Sequence, residues 1–219
     1  MDRGESIMHD SSSRWLWLQS GILVVCMAQI LVSADENVPI DSKNGIFPEC
    51  TVRNQIGDAE LEVLSRTTER RRLDLSQSDV TDIGVAQLSM MTHLLFLDVS
   101  QTQITNTSLV SIKDLPELRS LMLNETKVSN VGLASLSQMK SLRVLGLDHC
   151  RISDCGLKHI RNMELLEWLY LNDTNISDAG IDHLTALRRL KFLSVVNTRV
   201  TQEGIDRLHL AIPAVRIRY

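Results

Sequence analysis

His159 and His183 stand 24 residues apart, and imidazoles on adjacent copies of a repeating unit could supply half of a metal site. The equivalent positions on either side hold Ser135 and Arg207, which breaks the set, so two solvated histidines and no metal are expected. Asp148, His149 and Asp173 bring carboxylates and an imidazole close together in sequence, the groups that general acid–base chemistry uses. No nucleophile or oxyanion donor accompanies them, and the same positions elsewhere read Asn124, Glu125 and Asn172. No catalytic residue and no cofactor are therefore expected, and the chain reads as a binding protein rather than an enzyme. The four cysteines show neither a disulfide framework nor the paired spacing of a zinc site. Cys150 and Cys155 read as ordinary thiols, with a bridge between them as the alternative in an oxidising compartment. Asn106, Asn124, Asn172 and Asn175 begin N-x-S/T triplets, but these follow from a template that places Asn before a Thr or Ser column.

The template is a repeat of 24 residues. Leucines at 73, 97, 121, 145, 169 and 193 are followed two places on by Leu75, Val99, Leu123, Leu147, Leu171 and Val195. Seven places on stand Val80, Ile104, Val128, Ile152, Ile176 and Val200. Eleven on come Gly84, Ser108, Gly132, Gly156, Gly180 and Gly204, and fifteen on Leu88, Ile112, Leu136, Ile160, Leu184 and Leu208. Five columns held over six copies without insertion define a solenoid. The alternation in LxxLxL predicts a strand with one buried face, and stacked copies place these strands side by side in a parallel sheet, about 4.8 Å apart. Thr81, Thr105, Ser129, Ser153, Ser177 and Thr201 follow the turn as helix N-caps. Asp or Asn comes next in five of the six copies and suits a positive helix start. The glycine column allows close approach of the neighbouring repeat, with a small local adjustment expected at Ser108.

The segments LRSLMLNETKVSNVGLASL and LEWLYLNDTNISDAGIDHL resemble leucine-rich repeats, with LxxLxLxxTxI followed by S/T-D-x-G-L. They look like the Thr- or Cys-containing repeats of ubiquitin-ligase adaptors and like similar arrays in exported bacterial proteins. The resemblance runs from about residue 49 to the end. It implies an α/β solenoid with a parallel sheet on the concave face and short helices on the convex face. It also implies that the column Ser78, Thr102, Thr126, Cys150, Thr174 and Thr198 bonds to the backbone of its turn, and that the concave face is the contact surface. Fold does not fix function, since such scaffolds serve many partners.

Strand alternation selects the side chains on that surface. One column reads Arg72, Phe96, Ser120, Val144, Trp168, Phe192 and Arg216, and the next reads Asp74, Asp98, Met122, Gly146, Tyr170, Ser194 and Arg218. A third reads Ser76, Ser100, Asn124, Asp148, Asn172 and Val196. Of six aromatic residues after residue 34, four fall in the first two columns. Trp168, Tyr170 and Phe192 lie on neighbouring strands and should form one patch, bordered by Arg216 and Arg218 within cation–π reach. The expected binding surface is therefore Phe96, Asp98, Met122, Trp168, Tyr170, Phe192, Arg216 and Arg218, and the expected partner is a protein.

Outside the repeats, residues 15–32 read WLWLQSGILVVCMAQILV, an apolar stretch ending near Val32-Ser33-Ala34. Residues 1–34 are expected to be a secretory signal, with Met8 as an alternative start and a membrane anchor through residues 15–32 as the competing reading. Export, to the cell exterior or periplasm, follows from either a cleaved signal or an anchor. Residues 35–48, with Pro39, Gly45 and Pro48, read as a linker. Residues 49–72 read as a degenerate capping repeat in which Ile56, Asp58, Leu61 and Leu64 take the places of Val80, Asp82, Val85 and Leu88. Residues 73–216 are six repeats, and 217–219 a terminal strand fragment whose edge could pair weakly with a second copy. A net charge of −4 supplies no basic face for nucleic acid. Two other readings stand beside the exported binding module: an intracellular substrate receptor like the ubiquitin-ligase adaptors, and a self-assembling structural element.

Overall fold

A computed structural model describes residues 56–66 and 69–219. The expected signal or anchor (1–34), the linker (35–48) and residues 49–55 of the expected capping repeat lie outside the described residues. Among the described residues no helix is long and apolar enough to cross a membrane.

Strands and helices alternate as the two periodicities demand. Helix α1 spans Asp58–Ser65 and strand β1 Arg72–Asp74. There follow α2 (Asp82–Ala86, extended by a 3-10 turn Gln87–Met90), β2 (Phe96–Asp98), α3 (Asn106–Ile112), β3 (Ser120–Met122) and α4 (Asn130–Leu136). The chain continues with β4 (Val144–Gly146), α5 (Asp154–Leu157), β5 (Trp168–Tyr170), α6 (Asp178–Leu184), β6 (Phe192–Ser194), α7 (Gln202–Ala211) and β7 (Arg216–Arg218). All seven strands form one parallel sheet in chain order. Leu73 pairs with Leu97 and so on to Leu193 with Ile217, a constant offset of one repeat. The observed α/β solenoid, one parallel sheet backed by short helices, is the fold expected from the five columns.

The middle residue of each strand from Leu73 to Leu193 is buried, as are Leu75, Val99, Leu123, Leu147, Leu171 and Val195. Together with Val85, Leu109, Leu133, Leu157, Ile181 and Ile205 from the helices they make one continuous core between sheet and helices. Ile56 and Leu61 are buried in the same cluster, with Leu64 packed against it, so α1 covers the first repeat's apolar edge. Burying such a side chain stabilises by roughly 1.5–3 kcal/mol, and no single repeat has enough of them to stand alone.

Hydrogen bonding from repeat to repeat runs beyond the strands. The amide of Leu75 donates to Asp98 O at 2.8 Å, and that of Gln77 to Ser100 O at 2.9 Å, a pattern that recurs along the stack. Gln77, Gln101, Glu125, His149, Asp173 and Asn197 then turn the chain with left-handed backbone, φ 54–61°. None is glycine, although that conformation is uncommon for side-chain-bearing residues other than Asn, Asp and His. The next residue closes the turn. The hydroxyls of Ser78, Thr102, Thr126, Thr174 and Thr198 each donate to the carbonyl three residues back, at 2.6–2.7 Å. Cys150 departs from this, its Sγ donating to Leu123 O of the preceding repeat at 3.1 Å.

The helix starts differ from expectation in an informative way. Only Thr81 and Thr105 cap their own helix through the side chain, accepting from Ile83 N and Thr107 N. Ser129, Ser153, Ser177 and Thr201 make no such bond. These caps are instead tied to the preceding repeat by the Asp or Asn column. Asp58 Oδ1 accepts from Thr81 N at 2.8 Å and Asp82 Oδ1 from Thr105 N at 2.8 Å. Asn106 and Asn130 accept from Ser129 N and Ser153 N, and Asp154 and Asp178 from Ser177 N and Thr201 N. Where the column holds Asp, its second oxygen accepts the cap hydroxyl. Where it holds Asn, the Nδ2 donates to that hydroxyl instead. The column therefore joins repeats rather than merely complementing a helix dipole.

Glycine makes room for this tie. A Cβ added at Gly132 would stand 2.6 Å from Asn106 Oδ1 and 2.7 Å from Leu109 Cδ1. Ser108, the one departure, is buried, and its hydroxyl donates to Asp82 Oδ1, so the extra atom becomes a further bond in place of a clash.

Candidate functional site

The face of the sheet turned away from the helices carries the two columns that flank the buried leucines. On its β5–β6 side, Trp168 and Phe192 lie with ring centroids 5.3 Å apart and planes tilted by 34°. Tyr170 and Phe192 lie 5.6 Å apart at 50°. The pairing of Trp168 with Phe192 and of Phe192 with Arg216, one strand spacing each, sets this cluster and its border. Tilted aromatic pairs at these separations attract by about 0.5–1.5 kcal/mol beyond their buried area, so the three rings hold one another in place while remaining half-buried. At the other end, the Arg72 guanidinium sits 4.6 Å from the centroid of the Phe96 ring.

Between these ends the surface is smoother than the register alone suggests. Val144, Ser120 and Ser194, expected to face solvent, are no more than 2% exposed. Gly146 is buried as well, and Met122 lies over it, since a Cβ there would be 2.6 Å from the Met122 Cε. Large side chains on one strand thus lean over small ones on the next, leaving Phe96, Met122, Trp168, Tyr170 and Phe192 as a half-buried apolar track.

Much of the third column, together with Asp74 and Asp98 of the second, is occupied in holding the backbone. Asp74 Oδ1 accepts from Ser76 N and its hydroxyl, and Asp98 Oδ1 from Ser100 N. Asn124 Oδ1 accepts from Asp148 N, Asp148 Oδ1 from Asn172 N, and Asn172 Oδ1 from Val196 N and the Ser194 hydroxyl. Burial pushes the Asp148 carboxyl above its ordinary range, against the hydrogen bonds from Asn172 that pull it down. His149 Nε2 lies 3.3 Å from Asp173 Oδ2, and Asn197 donates to the same carboxylate at 3.0 Å. The three residues weighed for acid–base work are thus divided between a backbone ladder and a rim cluster.

Other candidates resolve as individual residues. His159 and His183 are half-buried on α5's C-terminal side and α6, with Arg207 of the next repeat bonded to Asp182 and Glu203. Among the described residues no three His, Cys, Asp or Glu side chains converge on a point where a metal could sit. Cys150 and Cys155 are both free thiols, one buried and one exposed, so the alternative of a bridge between them is not realised. Burial raises the Cys150 thiol above its ordinary range.

One feature of the border escaped sequence reading. Glu167, beside Trp168, is ion-paired with Arg143 at 3.2 Å and with Lys191 at 2.6 Å, which immediately precede β4 and β6. Its signal was present, since Arg143, Glu167 and Lys191 occupy one column at 24-residue spacing with alternating charge. The pair of cations neutralises Glu167 and leaves this edge of the aromatic cluster with net positive charge.

Residues 92–152 match the family described as leucine rich repeat. No curated protein matches the sequence. Among solved structures, a leucine-rich repeat protein of Leptospira interrogans is similar, with a TM-score of 0.51 and 14% identity. The match covers 72% of this chain and 51% of that one, so the chain spans about half the length of that structure. At this identity the likeness shows the fold alone, and a fold found in so many settings leaves function to be argued from the surface.

Proposed function

We propose that this leucine-rich repeat protein recognises a protein partner on the outward face of its sheet, with the cluster Trp168, Tyr170 and Phe192 as the anchor. Leucine-rich repeat domains serve protein–protein recognition in general, and they are typically binding modules rather than enzymes. The observation that carries the site is the cluster itself. Three aromatic side chains occupy neighbouring positions on the face away from the core, in mutual contact yet half-exposed. Anchors of binding energy are enriched in Trp and Tyr, and an apolar cluster kept partly in water gains when a partner covers it.

The test begins with peptides selected from a random display library against the full chain and titrated by fluorescence anisotropy. Trp168→Ala combined with Tyr170→Ala is expected to weaken the selected peptides by about 100-fold or more, as loss of two central anchors does elsewhere. The circular-dichroism melt should persist, since the buried Leu169 between them is untouched. Unchanged affinity in the folded double variant would sink this site.

We further propose that the protein acts after export, on the strength of the apolar stretch 15–32 and the Val32-Ser33-Ala34 end of it. Intact mass of the native protein tests this. A chain beginning at Asp35 in the soluble exported fraction is the expected result. A full-length chain in the membrane fraction would make it an anchored display, and a full-length chain in the cytosol would overturn export and favour the substrate-receptor reading.

A further inference from the structure

We infer that the β5–β7 side of this face takes an acidic, apolar peptide segment of the partner, with an apolar side chain on the aromatic cluster and a carboxylate on Arg216 and Arg218. The inference rests on the recognition reading above and adds the chemistry of what is recognised.

The two arginines flank Ile217, and being two residues apart on one strand they point to the same face, about 7 Å from each other. Arg216 pairs in register with Phe192, and Arg218 with Ser194. Both are exposed. The acidic groups that could neutralise them are engaged elsewhere: Glu167 with Arg143 and Lys191, Asp173 with His149 and Asn197, and Asp148 with Asn172. Among the described residues neither guanidinium has a carboxylate partner. Two like charges held side by side repel, and an anion between them relieves that repulsion while giving each fork a planar acceptor.

The floor beside them suits the rest of the segment. Ser194 is small and buried, so the surface drops between Tyr170 and Arg218, with Phe192 at its side. A side chain seated on the rings would place a carboxylate one or two residues along an extended chain within reach of the arginines. The second column also runs from Asp74 and Asp98 at one end, through Met122, Gly146 and Tyr170, to Arg218 at the other. That gradient favours a segment whose acidic end lies toward β7 and disfavours the reverse direction.

The peptides selected against the full chain decide the matter. They are expected to carry Asp or Glu within two residues of an aromatic or large aliphatic side chain. Replacing that acid by its amide should weaken binding about tenfold, as should Arg216→Gln with Arg218→Gln, since exposed pairs contribute modestly. The two changes together should be no worse than either alone, because each removes the same interaction. Raising salt should weaken the wild-type complex and leave the arginine variant nearly unchanged. Selected peptides without acids, bound through Trp168 and Tyr170 but indifferent to the arginine variant, would overturn this inference and leave the recognition site standing. Peptides indifferent to both variants, or an empty selection, would overturn both. Should the arginine pair prove needed for folding, Arg218→Lys keeps the charge and should retain most of the affinity if charge is what matters.

Discussion

Asp82→Ala is expected to lower the stability of the solenoid by about 3 kcal/mol, because it strips partners from several buried or half-buried donors at once. Asp82 accepts from the backbone amides of Thr105 and Ser108 and from both of their hydroxyls. Alanine leaves the amides of Thr105 and Ser108 at the start of α3 and the buried Ser108 hydroxyl without this acceptor, and an unpaired buried donor costs roughly 1–3 kcal/mol. Asp82→Asn is a different matter. Asn106 and Asn130 already do the same work in this chain, their oxygen accepting the cap amide and their nitrogen donating to the cap hydroxyl. That variant should cost less than about 1 kcal/mol. Urea titration of the two variants measures the contrast, and equal losses would show that charge, not hydrogen bonding, is what the tie supplies.

The same residue predicts a pH dependence with a definite sign. Burial works to raise the Asp82 carboxyl, but the bonds from Ser108 and Thr105 outweigh it and hold it below the usual 3.8. Asp178 is held down by the Thr201 amide and hydroxyl. A group whose folded value is depressed contributes stability that is fully present above its unfolded value and is lost as pH falls through the folded value. Stability should therefore decline on acidification below about pH 4, and Asp82→Asn should flatten part of that decline.

Gly132→Val should be comparably damaging, at about 3 kcal/mol, by overpacking. Its Cβ alone would press on Asn106 Oδ1 and Leu109 Cδ1, and the branched methyls would push α4 away from α3. The tie between Asn106 and Ser129 would stretch with it. Ser108→Gly is the natural control. It loses a hydroxyl bond to Asp82 but restores the residue found in the other repeats, and should shift stability by no more than about 1 kcal/mol. If the valine variant unfolds at the same urea concentration as the parent, the close approach of adjacent helices is not what the glycine column is for.

These two columns show where sequence was readable and where it was not. The strand register from Leu73 to Leu193 followed from spacing, because a buried apolar residue announces itself by its type. The aromatic cluster followed too, since adjacency in the columns is adjacency on the sheet. The partner of Asp82 lies 23 residues away, and nothing in the local sequence distinguishes an Asp that complements a helix start from one that bonds the next repeat. The left-handed turn at Gln77, Gln101 and Glu125 was equally hidden, because glycine, the usual marker, is missing from it. Val144 and Ser194 were assigned to the open face correctly by alternation, yet burial there depends on how far larger neighbours lean, which spacing does not encode.

The ties between helix starts have one more consequence, for how such a chain can change its length. Each of the first five repeats carries a hydroxyl at its cap that receives the unit before, and an Asp or Asn one residue later that grips the unit after. Plug and socket thus sit side by side within a single 24-residue stretch. A duplicated or deleted stretch would rejoin with the same fitting, whichever two units met at the new seam. The sheet can accordingly be lengthened or shortened by about 4.8 Å at a time without redesigning any joint.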